Sequence, residues 1–462
     1  MLNISILLLI FACKPVTVLD DTAPPITESS DSGDTEVETT PDIDVDLHDD
    51  VDTVLVVSWV EEQDVELSWI EYQFEDTEMS TPPIMRVAGE QSAVLLGIPP
   101  ITEVTLQIFS QTGEDITQSK VVTTQTGALP GDLPAPSLVS YDSSLASPEG
   151  WVLISVDTSD PGEWYQGPFY IIILDRQGRV VWYYSIPDRR VSMFPRVALD
   201  GTHLLFDEST AYFSTASTSR LHRLSLDFSY DETIDVEGLV YGYTELAEGG
   251  FIRDKGGWGG YSLIEQDVSG EERVIWDCNT WLSANYPHNG LCYSNAVNYS
   301  PETNSVLWSL PYHDTVVEID RDSGEVLRVF GDVAPTHEIV PSDASFDFQH
   351  YPNYTPDGTL LVSMHIEGTT DQQRAREYTV NDETGELTEI WFYGADVDEY
   401  AYYSGEAWRL ANGNTLMNYG TGGAAREVTP DKQVVWDIAF PDRHLNGHIS
   451  LFDDIYALLG PE

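Results

Sequence analysis

Ile171-Ile-Ile-Leu-Asp-Arg-Gln-Gly178-Arg-Val-Val-Trp182 reads as two apolar β-runs joined by a turn carrying Gly, and the pattern returns four more times. Gly270 to Trp276, Gly324 to Phe330, Gly385 to Trp391 and Val428-Thr-Pro-Asp-Lys-Gln-Val-Val-Trp436 repeat it. A second strand pair recurs alongside, hinged at Leu199-Asp-Gly201, Ala247-Glu-Gly249, Pro301-Glu-Thr-Asn304, Pro356-Asp-Gly358 and Ala411-Asn-Gly413. These second turns are spaced by 48, 55, 54 and 55 residues. A four-stranded unit at such a period is the signature of a β-propeller, in which each blade buries its faces only against its neighbours. Units over residues 169–207, 219–254, 262–310, 315–364, 375–420 and 424–456 make six blades within 133–462, with Val152-Leu-Ile-Ser-Val as the strand that closes the ring.

Ahead of the propeller, short alternating runs such as Val65-Glu-Leu-Ser-Trp-Ile-Glu-Tyr and Val104-Thr-Leu-Gln-Ile-Phe predict a small β-sandwich over 53–128. Its Leu95-Leu-Gly-Ile-Pro-Pro-Ile-Thr-Glu-Val-Thr-Leu stretch resembles the fibronectin type III signature. Ala128-Leu-Pro-Gly-Asp-Leu-Pro-Ala-Pro reads as a hinge between the two parts. The fold class is therefore all-β.

The 462 residues carry 78 acidic and 21 basic side chains, a formal charge of −57. Nucleic-acid binding rests on clustered Lys and Arg and is excluded on that balance. Between Pro15 and Met85 there is no Lys or Arg, and residues 14–52 read as an acidic, self-repelling, disordered linker. The apolar run from Leu2 to Ala12 is too short to span a bilayer and reads as a signal peptide. Its end, Leu9-Ile-Phe-Ala-Cys13, resembles a bacterial lipobox, with Cys13 as the lipidation site. The expectation is an exported protein held in the bacterial cell envelope, in the periplasm or at the outer membrane, meeting the membrane through a lipid anchor only.

Cys278 and Cys292 are the remaining cysteines: a disulfide in an oxidising compartment or two buried thiols. Two thiols cannot make a closed zinc site, and no metal is expected. The Asn-x-Ser/Thr triplets at Asn298 and Asn353 read as chance occurrences.

In a propeller the innermost strands line a central channel, so equivalent positions of the repeat converge on one site. Eight residues before each second turn, counting from Pro301 in the third unit, stand Met193, Tyr241, Tyr293, His350 and Gly405. Only His350 is a general acid/base type. His444 and His448, in the last unit, are the histidines that could also reach the channel.

Phe348-Gln-His350, Pro356-Asp-Gly-Thr-Leu-Leu, Arg374-Ala, Leu410-Ala-Asn-Gly-Asn-Thr-Leu and Glu427-Val-Thr-Pro-Asp together resemble the arylsulfotransferase family of exported propellers. Tyr293-Ser-Asn295-Ala-Val and Val317-Glu-Ile-Asp-Arg-Asp-Ser-Gly324 are similar to its middle blade. The resemblance implies transfer of a sulfuryl group between phenols through a sulfated histidine, without a nucleotide cofactor. It assigns His350 and Arg374 to catalysis, with Tyr241, Tyr293, Asn295 and His288 as substrate-binding candidates. Relatives carry further histidines where this chain has Tyr241 and Tyr293. Two functions stay open: a phenol sulfuryl transferase, or a non-catalytic surface propeller binding a small ligand or protein partner on its tyrosines.

Overall fold

The computed structural model describes residues 43–460 apart from 188, 210–217, 258–259, 287–289, 291, 367–371 and 395–400. Cys13 and His288 lie outside the described residues. The chain is nearly all-β; among the described residues the one α-helix is Cys278–Asn285, N-capped by Asp277.

Strands Ile43–Leu47, Leu55–Glu61 and Gly89–Leu95 form one small sheet, and a second is built on Val65–Phe74 and Glu103–Thr112. Period-2 alternation places Val57 and Trp59 of the first sheet and Ile70, Tyr72, Leu106 and Ile108 of the second in one core. The sequence expectation needs two corrections here. Ile43–Leu47 is a strand paired with Leu55–Glu61, whereas composition assigned it to the linker. Its Ile-Asp-Val-Asp-Leu alternation was hidden by the surrounding acidic residues. The expected hinge is also not a free joint. Leu133 is buried, Asp132 accepts from the Tyr170 hydroxyl at 3.0 Å, and the Tyr72 and Tyr456 hydroxyls meet at 2.8 Å. The core is continuous across 128–136, because apolar side chains of both parts face each other there.

The rest of the chain makes six sheets, each a four-stranded antiparallel meander or one extended by a strand. In the first, Asn446–Phe452 pairs with Trp151–Asp157, followed by Phe169–Asp175 and Val180–Ser185. The second to sixth begin at Arg196–Val197, Tyr243–Glu245, Val297–Ser300, Gln349–Tyr354 and Glu406–Arg409. Both ends of this region are interlocked: the last strand completes the first sheet, and Ser137–Tyr141 adds to the outer edge of the sixth.

The phase of the repeat differs from the sequence expectation. The Gly turn ending in Trp joins the two outer strands of one sheet, and the Asp/Asn-Gly turn joins the two inner strands of the next. A linear repeat fixes a period and not a starting point, so each sequence unit straddles two sheets. The turns themselves follow local chemistry. Four second turns have Gly at a positive φ, and the third has Asn304 there at φ 50°, the residue that best tolerates that region after Gly.

Inner segments are tied sheet to sheet. His448 N–H donates to Met193 O at 2.7 Å, the Tyr243 hydroxyl to Phe194 O at 2.7 Å, and Tyr299 N–H to Thr244 Oγ1 at 3.4 Å. Asn298 Nδ2 donates to Pro352 O at 2.7 Å, Asn353 Nδ2 to Ala407 O at 2.9 Å, and Ile449 N–H to Glu406 Oε1 at 2.7 Å. Six junctions thus run from the first sheet back to itself. The Asn-x-Ser/Thr triplets mark two of these buried clasps and not exposed loops. Further out, the indole N–H groups of Trp182, Trp391 and Trp436 donate to carbonyls at the outer-hairpin turn of the following sheet.

Candidate functional site

All five positions found by counting along the repeat, Met193, Tyr241, Tyr293, His350 and Gly405, line a single cavity of about 700 Å³. Gly447 and His448 line it from the sixth direction, the C-terminal strand of the first sheet. The convergence follows from the clasps, which bring the entrance of each inner strand to one centre. Buried carboxylates fix two of these entrances. Asp207 accepts from Met193 and Phe194 N–H, and Asp254 from Val240, Tyr241 and Gly242 N–H.

Four wall residues hold the left-handed backbone region without being Gly: Tyr165 (φ 70°), Phe348 (φ 46°), Tyr351 (φ 50°) and Ser404 (φ 63°). Such conformations cost of order 1–3 kcal/mol and persist only where the surroundings over-determine them. Gly405, at φ 110°, is a Gly for a packing reason as well. A Cβ there would lie 2.6 Å from the Gln373 side chain, so no imidazole fits at this position.

One wall is phenolic. The Tyr293 hydroxyl donates to that of Tyr241 at 2.6 Å, their rings are 4.9 Å apart, and Tyr312 stands 5.2 Å from Tyr293. Burial above all pushes the Tyr241 and Tyr293 phenols far up, so both stay protonated. Asn295 donates through Nδ2 to Gln349 O at 2.8 Å, while its buried Oδ1 has no hydrogen-bond partner. Trp164, Tyr402 and Tyr403 cluster at the rim, where Tyr312 and Tyr402 are 59% and 56% exposed.

His350 is half-buried in the wall given by the next sheet, its ring stacked 6.0 Å from Tyr351 and 6.5 Å from His365. Burial, assisted by His365, draws its pKa down to about 3, so the imidazole is neutral at any physiological pH. Its Nδ1 is buried without a partner, and Nε2 is the accessible nitrogen.

Tyr351 has a second histidine as ring neighbour, one that counting from the turns passed over. His448 is buried beside Tyr351 at 5.9 Å, and its Nδ1 pairs with Glu406 Oε2 at 2.8 Å. Glu406 also accepts from Trp408 Nε1 at 2.8 Å and Ile449 N–H at 2.7 Å. Burial alone would raise this carboxyl; the charge of His448 and these hydrogen bonds outweigh it and hold the pKa below its ordinary value. The signal was Asn446-Gly-His448 in the strand that closes the first sheet, which has no Gly turn after it from which to count. His444 sits elsewhere, with Nδ1 3.0 Å from Asp157 O.

Arg374 does not line the cavity. It pairs with Met364 across the sheet and so shares the face of Val362 and Met364, which pack toward the fourth sheet. Strand alternation gives the opposite face to Gln373, which donates to Ser363 Oγ and Asn418 O. The expected side-by-side placement of His350 and Arg374 in the cavity wall is therefore not what the fold produces. Arg376 is committed to Glu389 and Asp343 O. Among the described residues that line the cavity there is no Lys or Arg. Behind Tyr351, Arg196 Nη2 reaches the Tyr351 hydroxyl at 3.4 Å.

Residues 292–444, a third of the chain, match the arylsulfotransferase (ASST) family model. The matched segment holds Tyr293, Asn295, His350, Tyr351 and Glu406; Tyr241 and His448 fall outside it. No curated protein matches the chain. Among solved structures, a catalytically inactive virginiamycin B lyase from Staphylococcus aureus with quinupristin is 12% identical, covering 69% of this chain and 99% of that one at a TM-score of 0.39. A nidogen/laminin complex is 10% identical over 65% and 97% at 0.40, and Kuenenia stuttgartiensis hydrazine synthase 15% over 60% and 79% at 0.38. Likenesses at this level carry no functional argument.

Proposed function

We propose that this chain is an exported, arylsulfotransferase-like six-bladed β-propeller that takes a phenolic ligand in its central cavity and passes a sulfuryl group through His350. The observation that carries this reading is a neutral imidazole with a free Nε2, facing a cavity walled by tyrosines, inside the segment that matches the family. A nucleophilic histidine must be unprotonated, and His350 meets that requirement across the physiological range. The phenolic wall of Tyr241, Tyr293 and Tyr312 suits edge-to-face packing of an aryl ring. The donor and acceptor are substrates, and no cofactor is invoked. In this reading the N-terminal signal, the Cys13 lipid anchor and the acidic linker tether the protein to the bacterial envelope, and a fibronectin III-like sandwich supports the propeller.

The second reading, a non-catalytic binder of a small ligand or partner, is favoured by one observation. A sulfuryl group carries negative charge in its transition state, and no cation lines the cavity among the described residues.

Incubating the protein with a chromogenic phenyl sulfate and a phenol acceptor separates the two. Transfer should release the chromogenic phenol, leave a sulfated His350 peptide detectable by mass spectrometry, and be abolished in His350→Ala. Absence of both turnover and sulfated histidine would sink the transfer reading and leave binding.

A further inference from the structure

We propose that the His448–Glu406 pair is the proton-transfer group of the cavity, taking the proton from the incoming phenol and returning one to the departing phenolate. The inference rests on the sulfuryl-transfer reading above and adds to it a catalytic residue that lies outside the segment matching the family.

The geometry has four parts. His448 lines the cavity. Its Nδ1 is 2.8 Å from Glu406 Oε2, which fixes the ring and makes Nδ1 the protonated nitrogen. Glu406 is fully enclosed and already holds N–H groups of Trp408 and Ile449, with Asn418 Nδ2 at 3.3 Å, so it acts as an acceptor from every side. His448 Nε2 makes no hydrogen bond and is not sealed off by protein, which leaves its lone pair toward the cavity. A carboxylate-oriented imidazole with a free second nitrogen is the arrangement of a general base. The other groups facing it are Tyr351, stacked at 5.9 Å, and Arg196 behind the Tyr351 hydroxyl.

The steps balance as follows. The aryl sulfate loses its S–O bond as His350 Nε2 forms an N–S bond, and the departing phenolate takes a proton from Nε2 of protonated His448. The acceptor phenol then gives its proton to the neutral His448. Its oxygen forms the new O–S bond while N–S breaks and the electron pair returns to His350. One sulfuryl group and one proton change owners, with no oxidation or reduction.

The test compares the two half-reactions in the full chain. His448→Asn keeps an N–H donor for Glu406 and removes the base. With a nitrophenyl sulfate, whose leaving group needs no proton, it should still sulfate His350 within about threefold of the unsubstituted protein. Transfer to an unactivated phenol should fall on the order of 10²–10⁴-fold, and an acidic acceptor already ionised at the assay pH should recover most of that loss. Glu406→Gln, which removes the carboxylate that orients the ring, should lower transfer to the unactivated phenol about 10–100-fold and leave sulfation of His350 by the nitrophenyl sulfate within about threefold. Sulfated His350 together with undiminished transfer to the unactivated phenol in His448→Asn overturns the pair's role and leaves the transfer reading standing. No sulfated His350 in the unsubstituted protein overturns both.

Discussion

Arg196 reaches the Tyr351 hydroxyl at 3.4 Å and lies 5.2 Å over the Tyr243 ring, with no carboxylate at ion-pair distance among the described residues and Glu406 attracting it from further off. Enclosed guanidinium groups elsewhere in the chain are paired, Arg176 with Glu427 and Arg253 with Glu272. A cation without a counter-ion in a low-dielectric interior favours a nearby anion. Under the proposed transfer, Arg196 would supply through Tyr351 the electrostatic part that resemblance assigns to Arg374. Arg196→Gln is expected to weaken binding of a phenyl sulfate by about tenfold, on the scale of one charge-assisted contact, and to leave the parent phenol unchanged. Isothermal titration with both ligands checks this; equal weakening of both would assign Arg196 to structure alone.

The clasp between the fifth and sixth sheets is a stability element. Asn353 Nδ2 donates both to Tyr351 O at 3.0 Å and to Ala407 O at 2.9 Å, and the side chain is buried. Asn353→Ala leaves two buried carbonyls unsatisfied and should cost about 2–4 kcal/mol, whereas Thr379→Ala, at an exposed strand position, should stay within ~0.5 kcal/mol. Urea denaturation of both variants measures the contrast. Because Tyr351 packs against both His350 and His448, Asn353→Ala should also loosen the cavity wall.

Cys278 and Cys292 are bonded, with Cα atoms 5.9 Å apart and a sequence separation of 14. Closing a loop of that length stabilises by about 3 kcal/mol, chiefly by restricting the unfolded chain. Replacing both by Ser should lower stability by that order, read as a lower urea midpoint; an unchanged midpoint, with or without reductant, would show that the bond contributes nothing.

How much of this was legible in the sequence follows from what each signal encodes. The repeat gave the period, and counting back from its turns found five residues around one cavity, because equivalent positions of a repeat are placed by the same local geometry. It could not give the phase, since Gly178 and Gly201 both turn hairpins and nothing local says which is the outer pair of a sheet and which the inner. Counting could not single out His448 from His444 in the last unit, because His448 belongs to a sheet assembled from both ends of the region. Arg374 was placed by likeness of motif, yet the alternation of Gln373 and Arg374 along a strand decides which of them faces inward. His365, stacked on His350, had no turn or motif to mark it. Asp207 stands beside Glu208 and Asp254 between Arg253 and Lys255, so each reads as an ordinary strand-end charge, and only the three-dimensional course of the preceding segment shows the N–H groups they hold.

The last expectation concerns those acids. Asp254 accepts three backbone N–H groups, but burial outweighs them and raises its pKa from 3.8 to about 6. The sign is then fixed by linkage. The folded carboxyl holds its proton more tightly than the unfolded one, so stability falls as pH rises through the window from about 4 to about 6 and is level above it. At ~1.4 kcal/mol per pKa unit the loss is on the order of 3 kcal/mol for this group. Asp207 is raised to about 6 by burial as well and contributes in the same direction. Asp254→Asn keeps an oxygen acceptor for the Tyr241 entrance and removes the titration. The stability difference between Asp254→Asn and the unsubstituted protein should therefore move in favour of the variant between pH 4 and pH 6, then stay constant to pH 8. Urea midpoints at each pH give the curve; a difference that does not change with pH would mean that the three N–H groups hold the carboxylate ionised throughout.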